Sequence, residues 1–164
     1  MNANTVTPIL ATLLSELVHG APSTGAYVLN RGDRGMLRSL DRLSADSAST
    51  IVAAGSSIAA HVDHLRYGIS LMNRWADGED PWGSADWSAS WSRVTVNDAE
   101  WTERRAQLRT EVERWLRAIH APRDVSETEL TGMIGSVVHL AYHLGAIRQI
   151  DRSIKGPAEA GPQH

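Results

Sequence analysis

Cysteine is absent from the 164 residues, which removes disulfides, thiolate zinc sites, iron–sulfur clusters and a catalytic thiol of the chain's own, and suits a reducing cytoplasm. Any bound metal must therefore sit on His, Asp or Glu. Lysine is nearly absent as well: the 16 basic side chains are Arg but for Lys155, and they are dispersed among 19 acidic ones for a net charge of −3. No basic stripe is left for a phosphate backbone, so nucleic acid is not an expected partner. No uncharged apolar run reaches the roughly 20 residues that a membrane span needs. The apolar N-terminal stretch has no Lys or Arg ahead of it and is interrupted by Glu16, unlike a signal peptide. A cytoplasmic protein without a membrane partner is the expectation. Strand-like alternation is missing too, as is any repeat with a period of about 20–50 residues.

What is present is helical periodicity, and it predicts an all-α protein with four long helices and one short one in a single bundle, whose long second connection permits a crossover. A chain of this length buries roughly 70% of its unfolded surface, so it folds without staples, and residues 1–155 read as one domain followed by a flexible tail, 156–164. Thr7-Pro8 marks the start of a first helix whose stripe is Val6, Ile9, Leu10, Leu13, Leu14 and Leu17. The connection over 22–35 contains Arg31-Gly32-Asp33, which its neighbours Asn30 and Gly35 make a turn rather than an adhesion sequence. Asp33 then caps the short helix, with Met36, Leu37, Leu40 and Leu43 at helical spacing, and the Ser/Ala-rich stretch 44–50 ends it. Ser56 or Ser57 opens a second long helix of about twenty residues, stopped by Gly78 and Pro81.

The longest connection, 77–97, contains Trp82, Trp87 and Trp91. Indoles in so long a loop more often pin it to the helices than contact a ligand, although long ordered loops also serve as lids. Three free indoles in solvent would promote aggregation, so these are expected to be partly buried, against the helices or against a second subunit of a homodimer. Asn97 with Glu100 opens the third long helix, which carries Trp101, Leu108, Val112, Trp115 and Ile119 and ends before Pro122. Ser126 with Glu129 opens the fourth, which runs to Ile154; it is apolar around most of its circumference and is expected to be the most buried.

That last helix includes sixteen residues, Gly132 to Ile147, without an Asp, Glu, Lys or Arg, and within them stand His139 and His143. Four residues apart on a helix, the two imidazoles share a face about one turn apart, close enough for one metal ion. Chance alone supplies about 0.3 such pairs in a chain with this many histidines, so position must carry the inference. Gly132, Ser136 and Ala146 lie in the same sector and leave room beside the pair. The second helix turns His61 and His64 inward, with Gly68 one turn beyond His64. Three or four core-facing imidazoles each need a buried partner, and a shared ion satisfies several at once. Neutral imidazoles suit zinc, nickel, iron or copper, and three of them leave a coordination position for water or substrate. Tyr142 and Asp63 point away from the neighbouring ligands and read as structural.

The stretch Ser57-Ile58-Ala59-Ala60-His61-Val62-Asp63-His64-Leu65, followed by His139-Leu140-Ala141-Tyr142-His143-Leu144-Gly145-Ala146-Ile147-Arg148-Gln149, resembles the DinB-like (YfiT-like) metalloprotein superfamily. The resemblance covers the second and fourth long helices and hardly touches the Trp-rich loop. It implies a four-helix bundle with a metal triad of His64, His139 and His143, with His61 as a supporting, alternative or core histidine. It also implies a divalent transition metal, zinc or nickel first, and a small-molecule substrate or thiol partner. Relatives of known chemistry are thiol-dependent transferases or isomerases, and a composition rich in Arg, Ala and Gly points to a GC-rich source and to mycothiol as the low-molecular-weight thiol. A non-catalytic metal-binding or stress-associated bundle and a metal-dependent hydrolase are the alternatives; no Glu lies inside His139-x-x-x-His143, so a zinc-protease mechanism is not supported.

Overall fold

The computed structural model describes residues 3–52, 55–121 and 124–158, with the side chains of 3–5 left aside. Among the described residues the regular structure is entirely helical. Four helices are long: α1 (Ala3–His19), α4 (Ile58–Ala76), α5 (Asp98–His120) and α6 (Glu127–Ile150). Two are short, α2 (Gly35–Leu40) and α3 (Ala45–Ser49), where one was expected. The extra one is α3: the Ser44 side chain accepts from Ser47 N–H, so the Ser/Ala-rich stretch nucleates a turn instead of only ending α2.

Local chemistry sets most boundaries. Ser57 caps α4 through Ala60 N–H, and the chain leaves α4 through Gly78 at φ +90°. Complete capping boxes open α5 (Asn97 with Glu100) and α6 (Ser126 with Glu129). Two boundaries differ from expectation. Pro8 stands inside α1 rather than opening it; a proline this near the N-terminus forfeits a single backbone bond, to the carbonyl of residue 4, and the turns beyond it are fastened by Leu10, Leu14 and Leu17 in the core. Helix α6 stops at Ile150, because the Asp151 side chain accepts from Ser153 N–H and diverts the chain into a 3-10 turn, Arg152–Ile154. Pro122, expected to stop α5, lies outside the described residues, as does the tail beyond Ala158; Gly156 and Pro157 lie against Asp33 and Asn30.

Helix α1 packs on α5 and α6, and α4 packs on the same two. The layer between them is filled by Leu14, Leu17, Ile58, Leu65, Trp101, Leu108, Trp115, Ile119, Met133 and Leu140, all buried. Trp115 spans from α5 to α6 and donates its Nε1–H to Ser136 Oγ at 2.9 Å. Of the four long helices the most buried is α4, not α6 as expected. Helix α4 is covered by α5, α6, α3 and the loop turn at Ala89–Trp91, whereas α6 leaves Ile134, Val138 and Tyr142 exposed. Among the described residues α6 alone is long and apolar enough to cross a membrane; here its inner face lies on α1 and α4.

Buried polar groups tie the remainder down. Glu16 accepts three backbone N–H bonds, from Tyr27, Val28 and Leu29, at 2.6–2.9 Å. Burial alone would raise its carboxyl, but those three donors hold it below the usual range. Asp33, in the expected turn with Gly32 at φ +82°, is 5% exposed; it accepts from Gly35 N–H and from Arg148 of α6 at 2.7 Å. Asp63 is likewise structural, taking Arg66 and Arg104, each at 3.0 Å, and so fastening α4 to α5.

Candidate metal centre

His61 and His64 share one face in the first half of α4, and His139 and His143 stand one turn apart on the side of α6 that faces it. Packing of α4 on α6 brings their rings together. His64 Nε2 lies 3.2 Å from His139 Nε2, which lies 2.8 Å from His143 Nε2. One nitrogen from each of the three falls within 4.8 Å of the others, and the three can hold one metal ion. Nitrogen ligands about 2.0–2.1 Å from a tetrahedral ion stand about 3.3 Å apart, so the two spacings at His139 need only a slight opening.

The far nitrogens show how two of these rings are oriented. Ser90 Oγ donates its proton to Trp87 O at 2.6 Å, so its contact with His64 Nδ1 at 2.8 Å must be one in which the imidazole donates. His64 Nε2 is then a bare lone pair aimed at the other two. His143 Nδ1 meets His61 Nδ1 at 2.8 Å. With the proton on His143, its Nε2 is also free to bind, and His61 stands behind the triangle as the acceptor that orients it. Without an ion, a single proton on His139 Nε2 has to be divided between two lone pairs. A cation in that place takes all three.

All four imidazoles are held below the ordinary histidine range. Burial is the first cause for each; it and the neighbouring rings His139 and His61 push His64 down to about 4, and burial with His139, His61 and His64 pushes His143 down to about 3. Burial also lowers His61 and His139. His64 and His143 are therefore neutral, as metal binding requires, well below neutral pH, and burial shifts His139 in the same direction.

The Trp-rich connection does more than pin itself down. Trp91 stacks on His64 with ring centres 4.3 Å apart and meets His61 edge-on at 5.1 Å. Trp87 lies 5.6 Å from His64 and from Tyr67, whose hydroxyl accepts from Asp86 N–H. Trp82 packs against Trp75 of α4 instead. Packing against the helices is as expected, with Trp82 and Trp87 each 40% exposed. Ser90 and Trp91 as site residues were not legible in the sequence: the one signal was the density of tryptophan in a long loop, which cannot tell a pin from a wall.

Beside His139 opens a recess of about 230 Å³, lined by Gly68, Ile69, Met72, Trp82, Trp87, Gly132, Gly135 and Ser136. Gly68, Gly132 and Ser136 thus do adjoin open volume, while Ala146 does not line it. Gly132 has a second reason to be small, since a Cβ there would come within 2.5 Å of Trp75 Cζ3. A larger recess, about 270 Å³, contains Asp33, Arg148, Arg152 and Lys155 but none of the four histidines. Tyr142 is 69% exposed and touches the cluster only through its edge contact with His143. Comparison with protein-family models, curated proteins and solved structures gives no match to this chain.

Proposed function

We propose that this chain is a DinB-like four-helix bundle that holds one divalent transition metal, zinc or nickel, on His64, His139 and His143, and uses it with a low-molecular-weight thiol such as mycothiol in transferase or isomerase chemistry. The observation that carries the metal is the convergence of three ring nitrogens at 2.8 and 3.2 Å on one point, two of them oriented from behind by Ser90 and His61. The bundle is supported by α1 and α4 each packing on both α5 and α6. A divalent ion bound there would supply a Lewis-acidic position at which a thiol is held as its thiolate. Three neutral ligands leave the ion's charge uncompensated, which favours an anionic fourth ligand. The chain's own part is to hold the rings, keep them neutral and exclude water with Trp87 and Trp91. Among the described residues the hydrogen-bond partners of the four imidazoles are one another and Ser90, with no carboxylate positioned as a base; this ranks thiol chemistry ahead of hydrolysis. A cytoplasmic location and a homodimer belong to the same proposal.

A non-catalytic metal-binding role is the second reading, and burial favours it: His143 is 2% exposed and His64 7%, which leaves His139 as the ligand nearest to solvent. Elemental analysis of the purified protein and of His143→Ala tests the site. The variant is expected to lose stoichiometric metal and keep its helical content, since apolar burial holds the helices together. Unchanged metal occupancy would exclude the triad. A thiol-conjugation screen with several thiols then separates the two readings, and unfolding on chelation would favour the non-catalytic one.

A further inference from the structure

The recess of about 230 Å³ beside His139 has a one-sided chemistry. None of the described residues that line it is Asp, Glu, Lys or Arg. Apart from the indole N–H groups of Trp82 and Trp87, its polar side chains are His139 itself and Ser136, and Ser136 Oγ is already committed at both ends, accepting from Trp115 Nε1–H and donating to Met133 O at 2.7 Å. Its other side-chain walls are Ile69, Met72 and two indoles, Trp82 and Trp87. A charged group placed here would lose its water and gain no opposite charge, with little beyond an indole N–H to meet it, whereas an apolar ring loses nothing and covers wall surface. The walls are also set in advance. Trp82 meets Trp75 edge-on at 5.5 Å, and Trp87 is held by Tyr67 and lies over Gly68, where even a Cβ would stand 3.4 Å from its ring. Little ordering is left for a ligand to impose.

We propose that this recess is the specificity pocket of the metal centre, taking an uncharged aromatic or compact apolar group of one or two rings, carried by the small molecule whose polar end meets the metal. It rests on the reading of His64, His139 and His143 as a metal site. The size follows from the volume: a dry cavity of about 150 Å³ accommodates benzene, so this recess takes somewhat more. The neighbourhood of His139 follows from the lining, since that imidazole belongs to both the recess and the nitrogen triangle.

Gly135 provides the test. It lines the recess, and nothing lies within 4 Å of the position its Cβ would occupy. Gly135→Leu therefore has open space for its Cβ and should carry its branched side chain into the recess, while replacing glycine inside a helix. Two measurements keep the pocket and the metal separate. Ligand-observed NMR with indole on the metal-free protein reads the pocket alone; binding is expected, and Gly135→Leu should weaken it about tenfold or more. Absorption spectra of the cobalt(II)-loaded protein, titrated with benzyl mercaptan and with 2-mercaptoethanol, read pocket and metal together. The aromatic thiol is expected to bind about tenfold more tightly or better, and the preference should collapse in Gly135→Leu. Trp82→Ala, which removes a wall from the surface side, should narrow the same preference if the leucine variant folds poorly. Cobalt bound by the three histidines, with no indole binding and equal affinity for the two thiols, overturns the pocket and leaves the metal site standing. Indole binding abolished by Gly135→Leu in a protein that takes up no cobalt supports the pocket and removes the metal reading.

Discussion

At the scale of single residues, His64 shows how a ring becomes a ligand. Its orientation depends on Ser90, a loop residue 26 positions away whose own proton is spent on Trp87 O. Ser90→Ala is expected to lower metal affinity about 10–100-fold with no change in helical content, as loss of a hydrogen-bond partner behind a metal-bound histidine does. Competition with a chelator of known affinity measures it, and an unchanged affinity would remove Ser90 from that role. Protonation is the second residue-scale property. An exposed histidine gains its proton near pH 6.5, whereas burial and neighbouring rings push His64 to about 4 and His143 to about 3. Metal uptake should accordingly persist below the ordinary histidine value of about 6.5; half-loss of binding at about pH 6.5 in a metal titration would show that the rings titrate as if exposed.

At the scale of elements, the distance between α4 and α6 decides whether the site exists. Gly132 lets α6 approach Trp75 and Met72 of α4, and an added methyl would meet Trp75 Cζ3 at 2.5 Å and Met72 Cε at 3.3 Å. Trp75 has little freedom to give way, because Trp82 packs on it. Overpacking outweighs the helix propensity gained, so Gly132→Ala is expected to cost about 1–2 kcal/mol net. Urea denaturation reads the stability, and metal affinity should fall with it as His139 moves off its partners. A neutral or stabilising outcome would mean that α6 does not depend on this close approach.

At the scale of the whole molecule, the four imidazoles set how stability varies with pH. Their folded values lie below the unfolded value near 6.5, so in the metal-free protein the unfolded chain takes up more protons whenever the pH falls below that point. The contribution is fully present above about pH 6.5 and is lost as the pH falls toward the folded values of about 4 and about 3. Glu16, also lowered, acts in the same direction at the acid end. Thermal melts of metal-free protein should show Tm declining steadily from about pH 7 to about pH 4. A flat profile over that range would contradict the burial of the rings.

The sequence by itself determined the elements, because their signals are local. Capping boxes at Asn97 and Ser126, the Ser57 cap, and the leucine and tryptophan spacings of α1 and α5 depend on a few neighbouring residues, and the structure bears them out, although Ile9, expected in the α1 stripe, is exposed. It also determined that His64, His139 and His143 share a chemistry and face inward, since helical period fixes which side a residue takes. Tertiary structure decided the rest, for reasons no local pattern contains. Which helix is most buried depends on how many neighbours cover it, so α4 exceeds α6 even though α6 is apolar nearly all round. Pro8 is tolerated inside α1 because the core fastens the turns beyond it. His61 stands behind His143, Ser90 orients His64, and Trp87 and Trp91 form walls only because a long loop folds back over α4. Contacts across 26 to 82 positions arise from packing, and packing is a property of the assembled helices rather than of any one stretch.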